Sequence, residues 1–471
     1  MPNTILKEVK GRTQEIAVNP EHPIELKIGY IGGGSRGWAH GLMKDFALCP
    51  WFGGEVRLYD LDYEAAQRNA AYGMMIQEHP DNRARWRYRA VKTLRAALKD
   101  ADFVFLSIQP GPIEYMKYDL ELPMKYGIYQ PVGDTTGPGG IIRGLRSARD
   151  YREFAEGIAA HCPDAWVINF TNPMSVCTKT LYTVFPQVKA YGCCHEVFGT
   201  QGYLGRLYAR ATGRPQPTRG DVRVNVLGIN HFTWINQAEC NGVELLELAR
   251  AETRRPGRMK HYTEADFEGM SVFHGKGRVT LELLKRFDVL PAAGDRHLAE
   301  FVPWFLTSEK SCYAWGFCLT PYAYRINRWR TAPRQLQRQL DGKEPIRLTG
   351  SGEEYINQMA ALVGLTSFRT NVNLPNRGQM DGVPEGALVE TNALFSCNRV
   401  EPVVSGGLPA AVNSLIEPHV VNHDLVINGS LGNDKDMAFR AFINDPLTQR
   451  LGMDDAWALF NRMVRATKLA F

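Results

Sequence analysis

Leu26-Lys27-Ile28-Gly29-Tyr30-Ile31-Gly32-Gly33-Gly34-Ser35-Arg36-Gly37 is a short apolar run that enters a glycine-rich turn. The run predicts a buried strand. The turn carries Gly-x-Gly-x-x-Gly at Gly32, Gly34 and Gly37, ahead of a helix-compatible segment from Trp38 to Leu48. In such a loop the first glycine permits the tight turn and the second lets backbone N–H groups approach a pyrophosphate. The third lets the helix pack close to the strand. Glu55-Val-Arg-Leu-Tyr-Asp60 predicts a second strand, ending in an acid 28 positions after Gly32. An acid there accepts both ribose hydroxyls and repels a 2′-phosphate, so NAD is expected and Asp60 is preferred to Asp62. The cofactor-binding candidates are Gly32, Gly34, Ser35, Arg36, Gly37 and Asp60.

Outward from this loop, helical and strand patterns alternate. An amphipathic helix is expected at about 64–78, and further strands at Phe103–Ile108, Trp166–Asn169 and Val188–Cys193. Such alternation predicts a parallel, doubly wound sheet with ligands beyond its C-terminal strand ends. Polar clusters fall there: Ser107-Ile-Gln109, Asn169-Phe-Thr-Asn172 and Cys194-His195-Glu196. The segment Gly133–Gly140 reads either as a flexible cover over substrate or cofactor, or as a surface turn. After about Pro215 the pattern changes to a half-buried strand at Val222–Gly228. Helices are then expected at 278–287, 353–365 and 434–444. The expected fold is therefore α/β. Residues 1–213 form a Rossmann-like NAD domain, and 214–471 an α+β domain that binds substrate and completes a metal site. The active site is expected in the crevice between them.

A chain of 471 residues exceeds one ordinary core, and 44% hydrophobic with 22% charged residues fits a globular protein. The net charge of +5 is dispersed. Its densest stretch, Arg85–Lys92, alternates with aromatics as a half-solvated strand does, so no nucleic-acid partner is expected. No apolar run approaches the ~20 residues of a membrane span. Nine scattered cysteines form no disulfide framework, which points to a reducing cytoplasm and leaves Cys194 free as a thiolate.

Cys194 and His231 follow two successive apolar segments, each flanked by glycine and polar residues. A thiolate and an imidazole so placed suit a divalent metal. No Cys-x-x-Cys pairs occur, so the site is not a structural zinc centre, and two protein ligands leave positions open for substrate oxygens. The bland alternative is a core cysteine and a hydrogen-bonded histidine.

Several ordered motifs resemble glycoside hydrolase family 4, the NAD- and manganese-dependent glycosidases. They are the glycine loop, Leu58-Tyr-Asp-Leu-Asp62, Thr135-Thr-Gly-Pro-Gly-Gly140, Thr171-Asn-Pro-Met174, Cys194-His195-Glu196-Val197 and Gly228-Ile-Asn-His-Phe232. The resemblance continues through Gly294-Asp-Arg-His-Leu-Ala-Glu-Phe301 to Asn371-Val-Asn-Leu-Pro-Asn376, covering nearly the whole chain. The residues after the metal cysteine track the glycone. Phospho-glycosidases carry Cys-Asn or Cys-Asp there, whereas Cys-His-Glu-Val looks most like the α-galacturonidase branch. The resemblance implies a redox-assisted elimination. Hydride leaves C3 of the sugar for NAD+, a base removes the acidified C2 proton, and the aglycone departs as an acid protonates the glycosidic oxygen. Water then adds and hydride returns.

On that resemblance Cys194 and His231 are expected to ligate Mn2+, and Asn172 to touch sugar hydroxyls. Asp295 is the expected base, with an ordinary ion pair to Arg296 as its alternative reading. His195 is the acid candidate and Glu196 the runner-up. Arg296 or Arg143 is expected to meet a uronate carboxylate, and Asp134 joins the substrate-binding candidates. A small carbohydrate, most like a uronic-acid glycoside, is the expected partner, and the family implies a homo-oligomer. The alternatives are an α-glucosidase or α-galactosidase of the same family, a lactate/malate-type dehydrogenase, and a non-catalytic NAD-binding sensor.

Overall fold

The computed structural model describes residues 23–471 and, of the N-terminal segment, the backbone of Asn3–Val9 and Arg12–Val18, which pair antiparallel. A nine-stranded sheet organises the molecule. Its six parallel strands lie in the order Trp86–Val91, Phe52–Tyr59, Ile24–Ile31, Phe103–Leu106, Trp166–Asn169 and Lys189–Gly192. Numbered along the chain this is 3-2-1-4-5-6, the order in which dinucleotides bind where the winding reverses, between Ile24–Ile31 and Phe103–Leu106. The fold is thus a Rossmann-like α/β sheet. Phe103–Leu106 and Trp166–Asn169 are short apolar runs stopped by polar residues, whereas Phe52–Tyr59 and Trp86–Val91 carry charged residues within them.

Both faces of the sheet are covered. One packs on the helices Trp38–Leu48 and Tyr355–Leu362, with Phe46, Phe105, Trp86 and Tyr355 buried together. The other packs on Gly137–His161, whose Tyr151, Phe154 and Ile158 meet Leu106 and Val167. The basic stretch near residue 85 is the edge strand Trp86–Val91, with Trp86 and Tyr88 buried and Arg87 and Arg89 exposed. That alternation is a half-solvated strand.

Three antiparallel strands from the C-terminal half, Phe368–Pro375, Leu388–Ser396 and Arg399–Pro402, extend the same sheet beyond Lys189–Gly192. The sheet therefore runs across the expected division at residue 213. A smaller sheet is built on the hairpin Arg223–Ile229 and Phe232–Cys240, and the long helix Ala410–Leu431 closes the second core.

One expectation is corrected here. Gly133–Gly140 is neither a flexible cover nor a surface turn, because Gly137 starts a 25-residue helix and residues 136–148 are buried. A Cβ on Gly139 would lie 2.8 Å from the Asp119 carbonyl oxygen, and one on Gly140 2.5 Å from the Thr135 carbonyl carbon. The glycines serve close packing, not mobility. Among the described residues no helix is long and apolar enough to cross a membrane.

Candidate active site

The nucleotide loop has the geometry its glycines require, with one change. Gly32 has φ +90°, and a Cβ there would stand 2.0 Å from the Ser107 carbonyl oxygen. Asp60 accepts the Gly34 N–H at 2.9 Å and the Asp62 N–H at 2.9 Å. Asp62 instead caps the helix Tyr63–Gln77 through the Ala65 N–H, so the two acids have different duties. Ser35 Oγ accepts the Trp38 N–H at 3.2 Å, and the Arg36 guanidinium lies 3.4 Å over the Trp329 ring. Gly37 does not allow close helix packing, since a Cβ there would meet nothing within 4 Å. It lines a cavity of about 790 Å³, so its missing side chain leaves room for a ligand.

That cavity brings together Gly37, Asn172, Cys194, His195, His231 and Asp295, with Asp134, Arg296, His297, Arg325 and Arg328. Cys194 follows the strand Lys189–Gly192, and His195 precedes the helix Glu196–Thr212. His231 sits in the two-residue turn of the hairpin, where Ile229 pairs with Phe232, and its φ is +65°. Asn230 precedes it, and Asn and His are among the residues that tolerate this turn backbone.

Hydrogen bonding fixes the His231 tautomer. Thr135 Oγ1 donates to Asp134 Oδ1 at 2.9 Å, so it must accept from His231 Nδ1–H at 2.8 Å. The bare lone pair is then on Nε2, as a metal ligand requires. Burial, with His297 beside it, pushes the His231 pKa down to about 3, which keeps the ring neutral. Burial also pushes the Cys194 thiol up, and Glu390 and Glu196 add to that, so a cation must displace its proton. Asn172 Oδ1 is buried with no hydrogen-bond partner in the same wall. Among the described residues no cluster of three or more His, Cys, Asp or Glu forms a ready metal cage. A soft thiolate and a neutral imidazole fit an open divalent site with two protein ligands, in the same cavity as the orphaned Asn172 amide oxygen.

Buried carboxylates hold this arrangement from behind. Glu390 accepts the amides of Asn371 at 2.7 Å and of Asn230 and Asn373 at 3.1 Å. It thereby ties the His231 turn to the sheet, and Asn371 also reaches the Cys194 carbonyl at 3.4 Å. Glu300 accepts the Val132 N–H at 2.6 Å and the Gly133 N–H at 2.9 Å, which sets the loop carrying Asp134 and Thr135. Burial raises Glu300 to about 8.

The acid and base candidates separate. Asp295 makes no ion pair with Arg296. Its Oδ2 accepts the Arg278 N–H at 2.9 Å, and its Oδ1 accepts the Thr280 N–H and hydroxyl at 3.0 Å each. It caps the helix Arg278–Phe287, whose own cap residue is Gly277. Burial outweighs these bonds and lifts its pKa to about 6. His195 Nδ1 lies 2.7 Å from Glu353 Oε1, a bond that raises the His195 pKa. Burial works to raise Glu196, yet His297, His231 and the Gly294 N–H hold it down to about 2. Glu196 is therefore ionised, 3.5 Å from His297 Nε2, and unsuited to donate a proton.

Arg143 is turned away from the cavity wall. Its Nε–H bonds the Asn172 carbonyl at 2.8 Å and its Nη1 bonds Gln109 at 3.0 Å, so it positions Asn172. Arg296 does line the cavity, and Nη2 donates to the Pro131 carbonyl at 2.8 Å. Arg325, not foreseen from sequence, donates to the Val132 carbonyl at 2.8 Å. The Nε atoms of both arginines are shielded from solvent without a partner. Arg325, Arg328 and Trp329 stand at i, i+3 and i+4 on the helix Tyr322–Leu340, a spacing that could have found them. His297 was likewise missed. Its ring lies 3.9 Å from that of His231.

The family 4 glycosyl hydrolase model matches residues 27–209, and the model of that family's C-terminal domain matches residues 226–448. The chain belongs to glycoside hydrolase family 4. This family membership sets aside the dehydrogenase and sensor alternatives, and the partner is a carbohydrate. The α-galacturonidase of Thermoanaerobacter italicus is 45% identical over 440 residues, 93% of this chain and 95% of that protein. A Bacillus subtilis crystal structure described as the glucosidase lplD is 47% identical, with a TM-score of 0.88 over 93% of this chain and 99% of the other. A 6-phospho-α-glucosidase from gut microorganisms, solved with NAD and Mn2+, shares the fold at 19% identity and a TM-score of 0.78, over 95% of this chain and 99% of its own.

Proposed function

We propose that this family 4 enzyme hydrolyses α-galacturonides, with NAD and Mn2+ as cofactors. The α-galacturonidase relative supports the reading, and the arginine pair Arg296 and Arg325 carries it. Arg296 is buried and Arg325 half-buried, and both are tied to carbonyl oxygens of residues 131–132. Among the described residues neither has a carboxylate within ion-pair distance. A buried cation without a counter-ion is unfavourable, and a hexuronate carboxylate matches an arginine fork in charge and geometry. A neutral hexoside offers hydroxyl oxygens but no counter-charge to either guanidinium.

Gly32, Gly34, Ser35, Arg36, Gly37 and Asp60 would hold the dinucleotide, and Cys194 with His231 the metal. When bound, these groups supply a hydride acceptor for C3 and a Lewis acid for the neighbouring sugar oxygens. Asn172 Oδ1 and Asp134 receive sugar hydroxyls. Asp295 removes the C2 proton, since its carboxyl group lines the same cavity as Cys194 and His231. His195, oriented by Glu353, protonates the departing oxygen. The division near residue 213 is one of labour, with the dinucleotide on one side and the metal histidine, base and arginines on the other. A homo-oligomer in the cytoplasm completes the reading. For the cytoplasm, Cys49, Cys162, Cys177, Cys193, Cys194, Cys240 and Cys312 are buried thiols in no disulfide.

The test compares 4-nitrophenyl α-galacturonide, α-galactoside and α-glucoside, each with NAD+ and Mn2+. Two charge-assisted hydrogen bonds, at about 1.5–3 kcal/mol each, place the galacturonide at least ~100-fold ahead in kcat/KM. Equal values for galacturonide and galactoside would overturn the proposal.

A further inference from the structure

Asp45 is a buried carboxylate that does not line the cavity of the metal candidates. It stands on the helix Trp38–Leu48, which begins directly after the dinucleotide loop. Its partners lie 306 and 310 residues further along the chain. Oδ1 accepts the Ser351 N–H at 2.7 Å, and Oδ2 accepts the hydroxyls of Ser351 and Tyr355.

The segment that Asp45 holds is pliant by sequence. Residues 341–354 form no helix or strand, and Ser351 lies between Gly350 and Gly352, the latter with φ +85°. Glycine on both sides leaves that backbone many conformations, so its position comes from its anchors. Ser351 Oγ, while donating to Asp45, accepts the Glu353 N–H at 3.1 Å. Glu353 in turn meets His195 Nδ1 at 2.7 Å. The Glu353 side chain is 10% exposed and that of His195 53%. The ring therefore has little packing of its own, and the carboxylate sets its direction.

We propose that Asp45 and Ser351 are positioning residues for proton donation by His195. The run from Asp45 through Ser351 fixes the Glu353 carboxylate that takes the His195 Nδ1–H, and Nε2 is left to face the glycosidic oxygen. As the C1–O bond breaks, its electron pair stays on oxygen, the Nε2 proton follows, and the alcohol leaves neutral. A staple between helix and loop would need only the buried Tyr355 hydroxyl. The two bonds to Ser351 reach beyond it, toward the acid. The inference rests on the assignment of His195 as that acid.

The experiment compares kcat/KM for 4-nitrophenyl and methyl α-galacturonide, each with NAD+ and Mn2+. 4-Nitrophenolate leaves without a proton and methanol needs one, so the aryl-to-methyl ratio reads proton donation. Partial unfolding or weaker cofactor binding lowers both values and leaves the ratio unchanged. A general acid contributes ~10²- to 10⁴-fold, and a misplacement of ~1 Å can cost ~10²-fold. Ser351→Ala and Asp45→Asn should therefore each raise the ratio at least ~10-fold. A wild-type ratio in either folded variant would overturn the inference. Ser351 is exposed, so Ser351→Ala decides alone should Asp45→Asn not fold. In His195→Ala the ratio should rise at least as far. A wild-type ratio there removes His195 as the acid, and the inference falls with that reading. Should neither galacturonide be cleaved, the galacturonidase reading falls by itself, and the same pair of α-galactosides tests the positioning.

Discussion

Asp295→Asn separates two duties that the structure loads on one carboxylate. As a helix cap, Asp295 serves three donors from residues 278 and 280. Asparagine keeps one acceptor oxygen and turns an NH2 toward one of those donors. Losing a cap costs about 0.5–2 kcal/mol, and a buried N–H left without a partner about 1–3 kcal/mol. The expected loss of stability is therefore ~2–4 kcal/mol. For 471 residues the unfolding entropy is ~1 kcal/mol/K, so Tm falls by only ~2–4 °C. As a base, Asp295 contributes ~10²- to 10⁴-fold to the rate. Solvent-deuterium incorporation at C2, followed by NMR with NAD bound, reads the second duty alone. Incorporation is expected to be lost while NAD binding survives. A variant that loses a few degrees of Tm yet exchanges C2–H at the wild-type rate would reduce Asp295 to a helix cap.

The same group gives opposite pH dependences for activity and stability. A base acts ionised, so kcat/KM should fall with unit slope as pH drops through about 6. The folded pKa lies above the ordinary 3.8, so the native state favours the protonated form. That stabilisation is complete below about pH 4 and is lost as pH rises through about 6, by roughly 3 kcal/mol at most. Denaturant unfolding across this window should show the component in the wild type and lack it in Asp295→Asn.

Thr135→Val removes the acceptor for His231 Nδ1–H, and Mn2+ affinity measured by calorimetry should weaken ~10- to 100-fold with NAD affinity retained. Unchanged affinity would show that Thr135 does not hold the ligand. Cys194→Ser should abolish the rise in Tm that Mn2+ gives the wild-type enzyme, and a retained rise would remove Cys194 from the ligand set. Gly37→Val should fold with little change in Tm, since its Cβ meets nothing, yet weaken NAD binding at least ~10-fold by filling the cavity wall. Wild-type affinity there would move the dinucleotide elsewhere.

The parallel half of the sheet was legible from local signals, apolar runs such as Phe103–Leu106 stopped by polar residues and the charged–aromatic alternation of Trp86–Val91. Arg278–Phe287 matched the expected helix boundaries because its apolar residues recur at helical spacing. The burial of Gly133–Gly140 was not legible. Glycine and proline composition reads the same whether a segment moves or is packed too tightly for a Cβ. Arg325 was within reach through its spacing to Arg328 and Trp329. Glu390 and Glu300 were not. Their partners lie up to 170 residues away, and only the closed fold brings Glu300 to Gln130 and Val132.

Those distant acids decide where the metal and substrate residues stand. Glu300 fixes the chain at Val132 and Gly133, and Asp445 accepts the Gly137 N–H at 2.9 Å and the Thr136 hydroxyl at 3.1 Å. Between these two anchors lie Asp134 and Thr135, which select the His231 tautomer. Glu390 holds the His231 turn from the other side. For Glu300 and Asp445, anchor and anchored come from opposite halves of the chain. A carboxylate in the C-terminal half meets backbone N–H groups in the N-terminal half, as the C-terminal strands complete the N-terminal sheet. Burial raises the pKa of all three acids, and these hydrogen bonds work against that rise. The proposed ligand His231 is thus held in place by acids that do not themselves ligate.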